Sequence, residues 1–132
     1  PYAADARAAG LDLVMIAAPN TPRTVLERIA RLSSGYTYCV ARAGVTGTRD
    51  DIALDHDQLF GSLSDVGAPP PVLGFGISTP DHVRKGLAAG AAGVISGSAI
   101  VRLVEQADPA AAIRHFVSGM KAATGLRETE DV

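Results

Sequence analysis

The feature that most constrains this chain is a rhythm. Four short apolar runs, each followed by a segment with helical spacing, succeed one another along 132 residues. The runs are Leu11 to Ala17, Tyr36 to Val40, Val72 to Phe75 and Ala92 to Ser96. Such short, largely apolar runs are the pattern of strands buried in a parallel sheet. The helices that follow begin at Thr21-Pro22, near His56, at Thr79-Pro80 and at Ser98. Threonine ahead of proline starts a helix because the hydroxyl accepts a bond from a free first-turn N–H, while proline lacks a donor that the first turn cannot use. Asn20-Thr21-Pro22 with Val25 recurs as Ser78-Thr79-Pro80 with Val83. That offset holds two units of about 29 residues, close to the roughly 30-residue scale of one βαβ step.

Strand-then-helix repetition of this kind specifies an α/β fold with parallel pairing. A closed (β/α)8 barrel needs about 250 residues, so the expectation is a half TIM barrel, (βα)4, over residues 1–123. The polar tail over 124–132 is expected to fray. Pro1 to Ala9 reads as a helix already under way, with Gly10 as its stop, so the chain is expected to be entered in the middle of a barrel. Helical spacing places Val25, Ile29 and Leu32 on one buried face, then Leu59 and Leu63, then Val83 and Leu87 ahead of a stop at Gly90. A short helix is expected from Ser98 to about Gln106, and a last one from Pro109 to Ala123 burying Ile113, Phe116, Val117 and Met120.

Charge and cysteine content narrow the function classes. A net charge of −2 with scattered Lys and Arg offers no footprint for nucleic acid or an anionic membrane. No apolar run reaches the roughly 20 residues of a membrane span, and no signal-peptide pattern opens the chain, so a cytoplasmic protein is expected. Cys39, alone and inside an apolar run, reads as a small core hydrophobe rather than a nucleophile. His56, His82 and His115 share no metal-ligand spacing and read as surface histidines.

The residues with chemical promise stand at strand ends, where parallel α/β folds gather their ligands. Gly74 and Gly76 flank Phe75, and Gly97-Ser98 opens a helix whose free N–H groups suit a phosphate. Gly47 could add another amide, and no lysine is required where backbone N–H groups supply the positive potential. Arg42 reads equally well as a loop anchor or a surface charge, and Tyr38 as a core ring whose hydroxyl reaches the ligand end.

Three of these segments form a set: Gly35-Tyr36-Thr37-Tyr38 with Arg42 and Gly44-Val45-Thr46-Gly47, then Gly74-Phe75-Gly76-Ile77-Ser78, then Ile95-Ser96-Gly97-Ser98-Ala99. In order and spacing the set resembles the C-terminal half of the tryptophan synthase α subunit family. The resemblance implies cofactor-free aldol-type cleavage of indole-3-glycerol phosphate to indole and glyceraldehyde 3-phosphate. It implies phosphate contacts at Gly47, Gly76, Gly97 and Ser98, a pocket wall at Phe75, and pocket lining at Tyr38, Ile16 and Ile95. Arg42, Gly44, Val45, Thr46 and Gly47 would belong to a mobile loop closing over substrate. Asn20 would lie where the family meets its β subunit in an α2β2 assembly, and any pyridoxal phosphate would belong to that subunit.

Ala41 and Ala43 flank Arg42 where relatives often carry hydroxyls. The family's acid/base glutamate and indole-contacting aspartate come from earlier strands, and no residue here is assignable to them. Asp12 is the one temptation, but it sits at the start of its strand, the wrong end for chemistry. The implied partners are therefore the β subunit and the N-terminal half of the barrel or a second copy of this half. Two alternatives remain at this point: a non-catalytic, self-associating half-barrel that binds phosphate, and another phosphate-binding barrel isomerase.

Overall fold

The computed structural model of the chain describes residues 1–41 and 56–125, so Arg42, Gly44, Val45, Thr46 and Gly47 lie outside the described residues, as does the tail beyond Gly125. Helix α1 (Tyr2–Ala8) leads into β1 (Met15–Ala17) and α2 (Arg23–Leu32), then β2 (Thr37–Val40) and α3 (His56–Asp65). Next come β3 (Pro71–Gly74) and α4 (Pro80–Ala88), then β4 (Gly93–Val94) with α5 (Ser98–Leu103) and α6 (Pro109–Ala122).

Strand order decides the architecture. The four strands pair in parallel in the order β1-β2-β3-β4. With right-handed crossovers, a sequential order sends each connection the same way and stacks the helices on one face. The register shows that face. Ala17, Cys39 and Leu73 stand side by side on adjacent strands and pack with Leu26 and Ile29 of α2, Leu59, Phe60 and Leu63 of α3, Val83 of α4 and Met120 of α6. Among the described residues no helix lies over the opposite row, Ile16, Tyr38 and Val72, and Ile16 is 66% exposed. A singly wound sheet with helices outside and a bare inner row is half of a (β/α)8 barrel, as the repetition predicts.

Several boundaries differ from expectation. Strand β1 begins at Met15 rather than Leu11, because its partner begins only at Thr37. Strand β4 is cut to Gly93–Val94, with a neighbour on one side only, although the N–H groups of Ala92 and Ile95 still bond to Pro71 and Leu73 at 2.8 Å. Helix α5 stops at Leu103, short of Gln106. In α2 the buried stripe runs through Leu26 and Ile29, which leaves Val25 on its margin and 38% exposed rather than inward. In α6, Met120 is buried and Phe116 joins the core, but Val117 is 47% exposed beside the uncovered edge of β4.

The two Thr-Pro helix starts also part company. At α4, Thr79 is the N-cap and its hydroxyl accepts from the His82 N–H at 3.2 Å, with Pro80 first in the helix. At α2 the helix begins one residue later in the motif, with Pro22 itself in the cap position. The Thr21 hydroxyl turns back instead to accept from the Ala18 N–H at 2.8 Å, fixing the turn after β1. Helix α6 is capped by Asp108, whose carboxylate accepts from the Ala111 N–H at 3.1 Å. Gly10 and Gly90, the expected stops, follow α1 and α4 with φ of 72° and 111°, the left-handed backbone that ends a helix cheaply only at glycine. Among the described residues, no helix is long and apolar enough to cross a membrane.

Cys39 has no exposed surface, and burial pushes its thiol up from 9.0 to about 12. A folded state that holds this proton more tightly than the unfolded chain keeps its full advantage below about pH 9 and loses it as pH rises toward 12. Two results are expected. Thiol reagents at pH 8 should label Cys39 only after denaturation, and Cys39→Ala should show a shallower alkaline loss of stability than the unmodified chain. Rapid labelling of the native protein would contradict the core assignment.

Candidate functional site

The C-terminal ends of the four strands make one rim, and the sheet register determines what stands on it. Tyr38 pairs with Val72 and Val40 with Gly74, so Tyr38 and Gly74 are diagonal neighbours on the bare inner face. The Tyr38 ring lies directly against the Gly74 backbone. A Cβ at Gly74 would fall 2.8 Å from Cε2 of the ring and closer still to Cζ and the hydroxyl. Glycine is needed there for room. One residue on, Phe75 takes a φ of 72°, and Gly76 follows at 79°. Left-handed backbone is ordinary for glycine and costs a large L-residue about 1–3 kcal/mol. The chain therefore leaves β3 through two consecutive left-handed residues. The Phe75 side chain stands 59% exposed on the rim.

The turn that follows is held by side chains from two directions. Ser96, two residues past the end of β4, donates its hydroxyl to the Ile77 carbonyl at 2.6 Å. The Ser78 N–H donates to Nδ1 of His82 at 3.1 Å. Because Nδ1 is the acceptor, the ring carries its proton on Nε2. Gly97 caps α5, and Gly97 and Ser98 are both exposed at the rim.

Ile16, Tyr38 and Ile95 belong to the inner row, since their neighbours Met15, Ala17, Cys39 and Val94 pack into the core on the other side. The structure thus brings together Ile16, Tyr38, Phe75, Gly76, Ile95, Gly97 and Ser98 along one rim and inner face. Asn20 is exposed in the turn after β1, at the same end. Asp12 lies ahead of Met15, toward the opposite end of the sheet, with its carboxylate beside Gly35, where an added Cβ would meet Oδ2 at 3.2 Å.

Two histidines overturn the surface reading, while His115 is exposed as expected. His56 has no exposed surface and His82 has 4%. Both sit in the first turn of a helix, beside aspartates that make them look solvated, but each ring turns inward to a strand end. Nε2 of His56 donates to the Val40 carbonyl at 2.9 Å, and its ring packs 5.7 Å from that of Phe60. The reason lies in the ladder. The N–H groups of Thr37 and Ala41 both point to β3, so the Val40 carbonyl faces the β1 side. Strand β1 has ended by then, at Ala17 opposite Cys39, and the histidine supplies the missing donor. Nδ1 of His56 is buried without a hydrogen-bond partner among the described residues. Among those residues no three His, Cys, Asp or Glu side chains gather as metal ligands.

Fold and rim define half of a (β/α)8-barrel protein of the kind that carries its ligands at the C-terminal ends of the strands. The family model described as "Tryptophan synthase alpha chain" matches residues 1–127. The tryptophan synthase alpha chain of Aeromonas salmonicida is 48% identical over 129 residues, covering 94% of this chain and 48% of that protein. The Escherichia coli O157:H7 protein of the same name is 47% identical over 116 residues, 84% of this chain and 43% of that one. Among solved structures, a chain of the tryptophan synthase α2β2 complex from Pyrococcus furiosus superposes with a TM-score of 0.77 at 31% identity, covering 92% of this chain and 50% of its own. The chain belongs to the tryptophan synthase alpha chain family. It spans about half the length of the curated relatives it matches.

Contact between Tyr38 and Gly74 gives a direct test of the rim. Gly74→Ala should destabilise the fold by about 1–3 kcal/mol through overpacking. With Tyr38→Ala in the same chain the clash disappears, so the double variant should lose at least about 1 kcal/mol less than the sum of the single losses. Simple additivity in denaturant unfolding would show that the ring does not lie on Gly74.

Proposed function

We propose that this chain is the substrate- and phosphate-binding half of a tryptophan synthase α-type lyase, acting in aldol-type cleavage of indole-3-glycerol phosphate to indole and glyceraldehyde 3-phosphate. The observation that carries the reading is the convergence of Gly76, Gly97 and Ser98 on one rim beside an inner apolar row. Backbone N–H groups at Gly76, Gly97 and Ser98 hold the phosphate, and Gly47 adds to them from outside the described residues. Phe75, Tyr38, Ile16 and Ile95 line the pocket for the indole, an apolar ring that suits an apolar wall. Arg42, Gly44, Val45 and Thr46 belong to the segment that closes over substrate and excludes water.

The acid/base carboxylates of the reaction come from the complementary half of the barrel, and the 132-residue chain by itself is inactive. No cofactor is required for this half of the chemistry. The solved α2β2 complex of a relative supports a β subunit as partner; the exposed turn at Asn20 is the surface it meets in this reading. Family membership disfavours a histidine- or tryptophan-pathway isomerase on the same fold. A second reading, self-association through the bare face, is favoured by the 66% exposure of Ile16 and the open edges of β1 and β4. Solution mass separates it from a monomer.

Indole release from indole-3-glycerol phosphate, measured with and without an added N-terminal half of the barrel, tests the main reading. Activity is expected only on addition. Release by the chain alone would mean that the carboxylates are here after all. Gly97→Val should lower affinity for glycerol 3-phosphate at least about tenfold with the fold intact. Unchanged affinity would remove Gly97 from the phosphate site.

A further inference from the structure

Phosphate held by backbone N–H groups demands that the turns carrying those groups keep a fixed separation, because each donor must lie within hydrogen-bond reach of the same small anion. The two turns in question leave different strands. Gly76 follows β3 and Gly97 follows β4, and β4 is only two residues long. Beyond Leu73 and Val94 the β3–β4 register provides no further pair, and the last backbone bond between the strands runs from the Ile95 N–H to the Leu73 carbonyl at 2.8 Å. Past that point the turns are joined by a side chain: the Ser96 hydroxyl bonds the Ile77 carbonyl at 2.6 Å. Ser96 immediately precedes Gly97, and Ile77 immediately follows Gly76.

We propose that Ser96 is a positioning residue that sets the distance between the two phosphate-binding turns, with His82 as the second anchor of the Gly76 turn. The inference rests on the phosphate reading above and names the device that keeps its donors in place. Ile77 is 3% exposed, so its carbonyl is a buried acceptor that the serine satisfies. On the next residue, the Ser78 N–H is satisfied by Nδ1 of His82, which holds the far side of the turn. The turn is thereby gripped at adjacent residues by one side chain from the segment between β4 and α5 and one from α4. Neither side chain needs to touch the ligand.

The test is affinity for glycerol 3-phosphate, measured by calorimetry on the 132-residue chain. Ser96→Ala should weaken binding about 5- to 10-fold, the scale of one hydrogen bond lost from the brace. Ser96→Thr should stay within about twofold, because it keeps the hydroxyl. Its extra methyl has room in the adjoining cavity of about 250 Å³ lined by Val94, Ile100, Phe116 and Met120. Likewise His82→Asn, whose Oδ1 occupies the place of Nδ1, should retain binding that His82→Leu loses. A merely structural role would lower the thermal stability of Ser96→Ala, spare Ser96→Thr, and leave the affinity of the folded fraction unchanged in both. Equal affinity of Ser96→Ala and the unmodified chain, with binding abolished by Gly97→Val, would overturn the inference and leave the phosphate reading standing. Binding unaffected by Gly97→Val, or absent from the unmodified chain, would overturn both.

Discussion

The rest of the rim depends on the contact between the Tyr38 ring and the bare backbone of Gly74. Parallel pairing of β2 with β3 sets the two on a diagonal of the inner face, and the missing Cβ lets an aromatic ring lie where a side chain would otherwise stand. From Gly74 the chain must leave the sheet without pushing that ring away. It does so through left-handed backbone at Phe75 and Gly76, which turns the strand end over the rim. The turn at Gly76 and the exposed Phe75 ring follow from that exit.

Polar side chains finish what the short strands leave undone. Where β1 stops, His56 donates to the Val40 carbonyl; where β4 stops, Ser96 donates to the Ile77 carbonyl; and His82 accepts the Ser78 N–H. In each case a ladder or turn group near the rim meets a side chain rather than another strand. Buried backbone groups seldom go unpaired, so short strands require such substitutes. Ligand ends of barrels can be irregular without being loose, because the pairing passes from backbone to side chain.

Fold and site were unequally legible in the sequence. The four units, their parallel order and the strand-end position of the glycines follow from apolar runs and helix starts, which are local signals. Burial of His56 and His82 was not legible, since their partners are backbone atoms 16 and 4 residues away and their own neighbours are charged. The two Thr-Pro motifs show the limit most clearly. Thr79 caps its helix and Thr21 does not, although the residues around them read alike; a one-residue shift of the helix start sends the hydroxyl to Ala18 instead. Nor does any composition rule foresee a left-handed phenylalanine, since the conformation is imposed by its place between Gly74 and Gly76 rather than by its own preference.

That phenylalanine sets stability against function at a single position. Glycine at 75 would relax the backbone and strengthen the fold, yet it would remove the ring that stands 59% exposed on the rim, where the proposed function needs a wall for its substrate. A screen for thermostable variants of this chain would drift toward glycine there and discard the wall without any sign of damage to the fold.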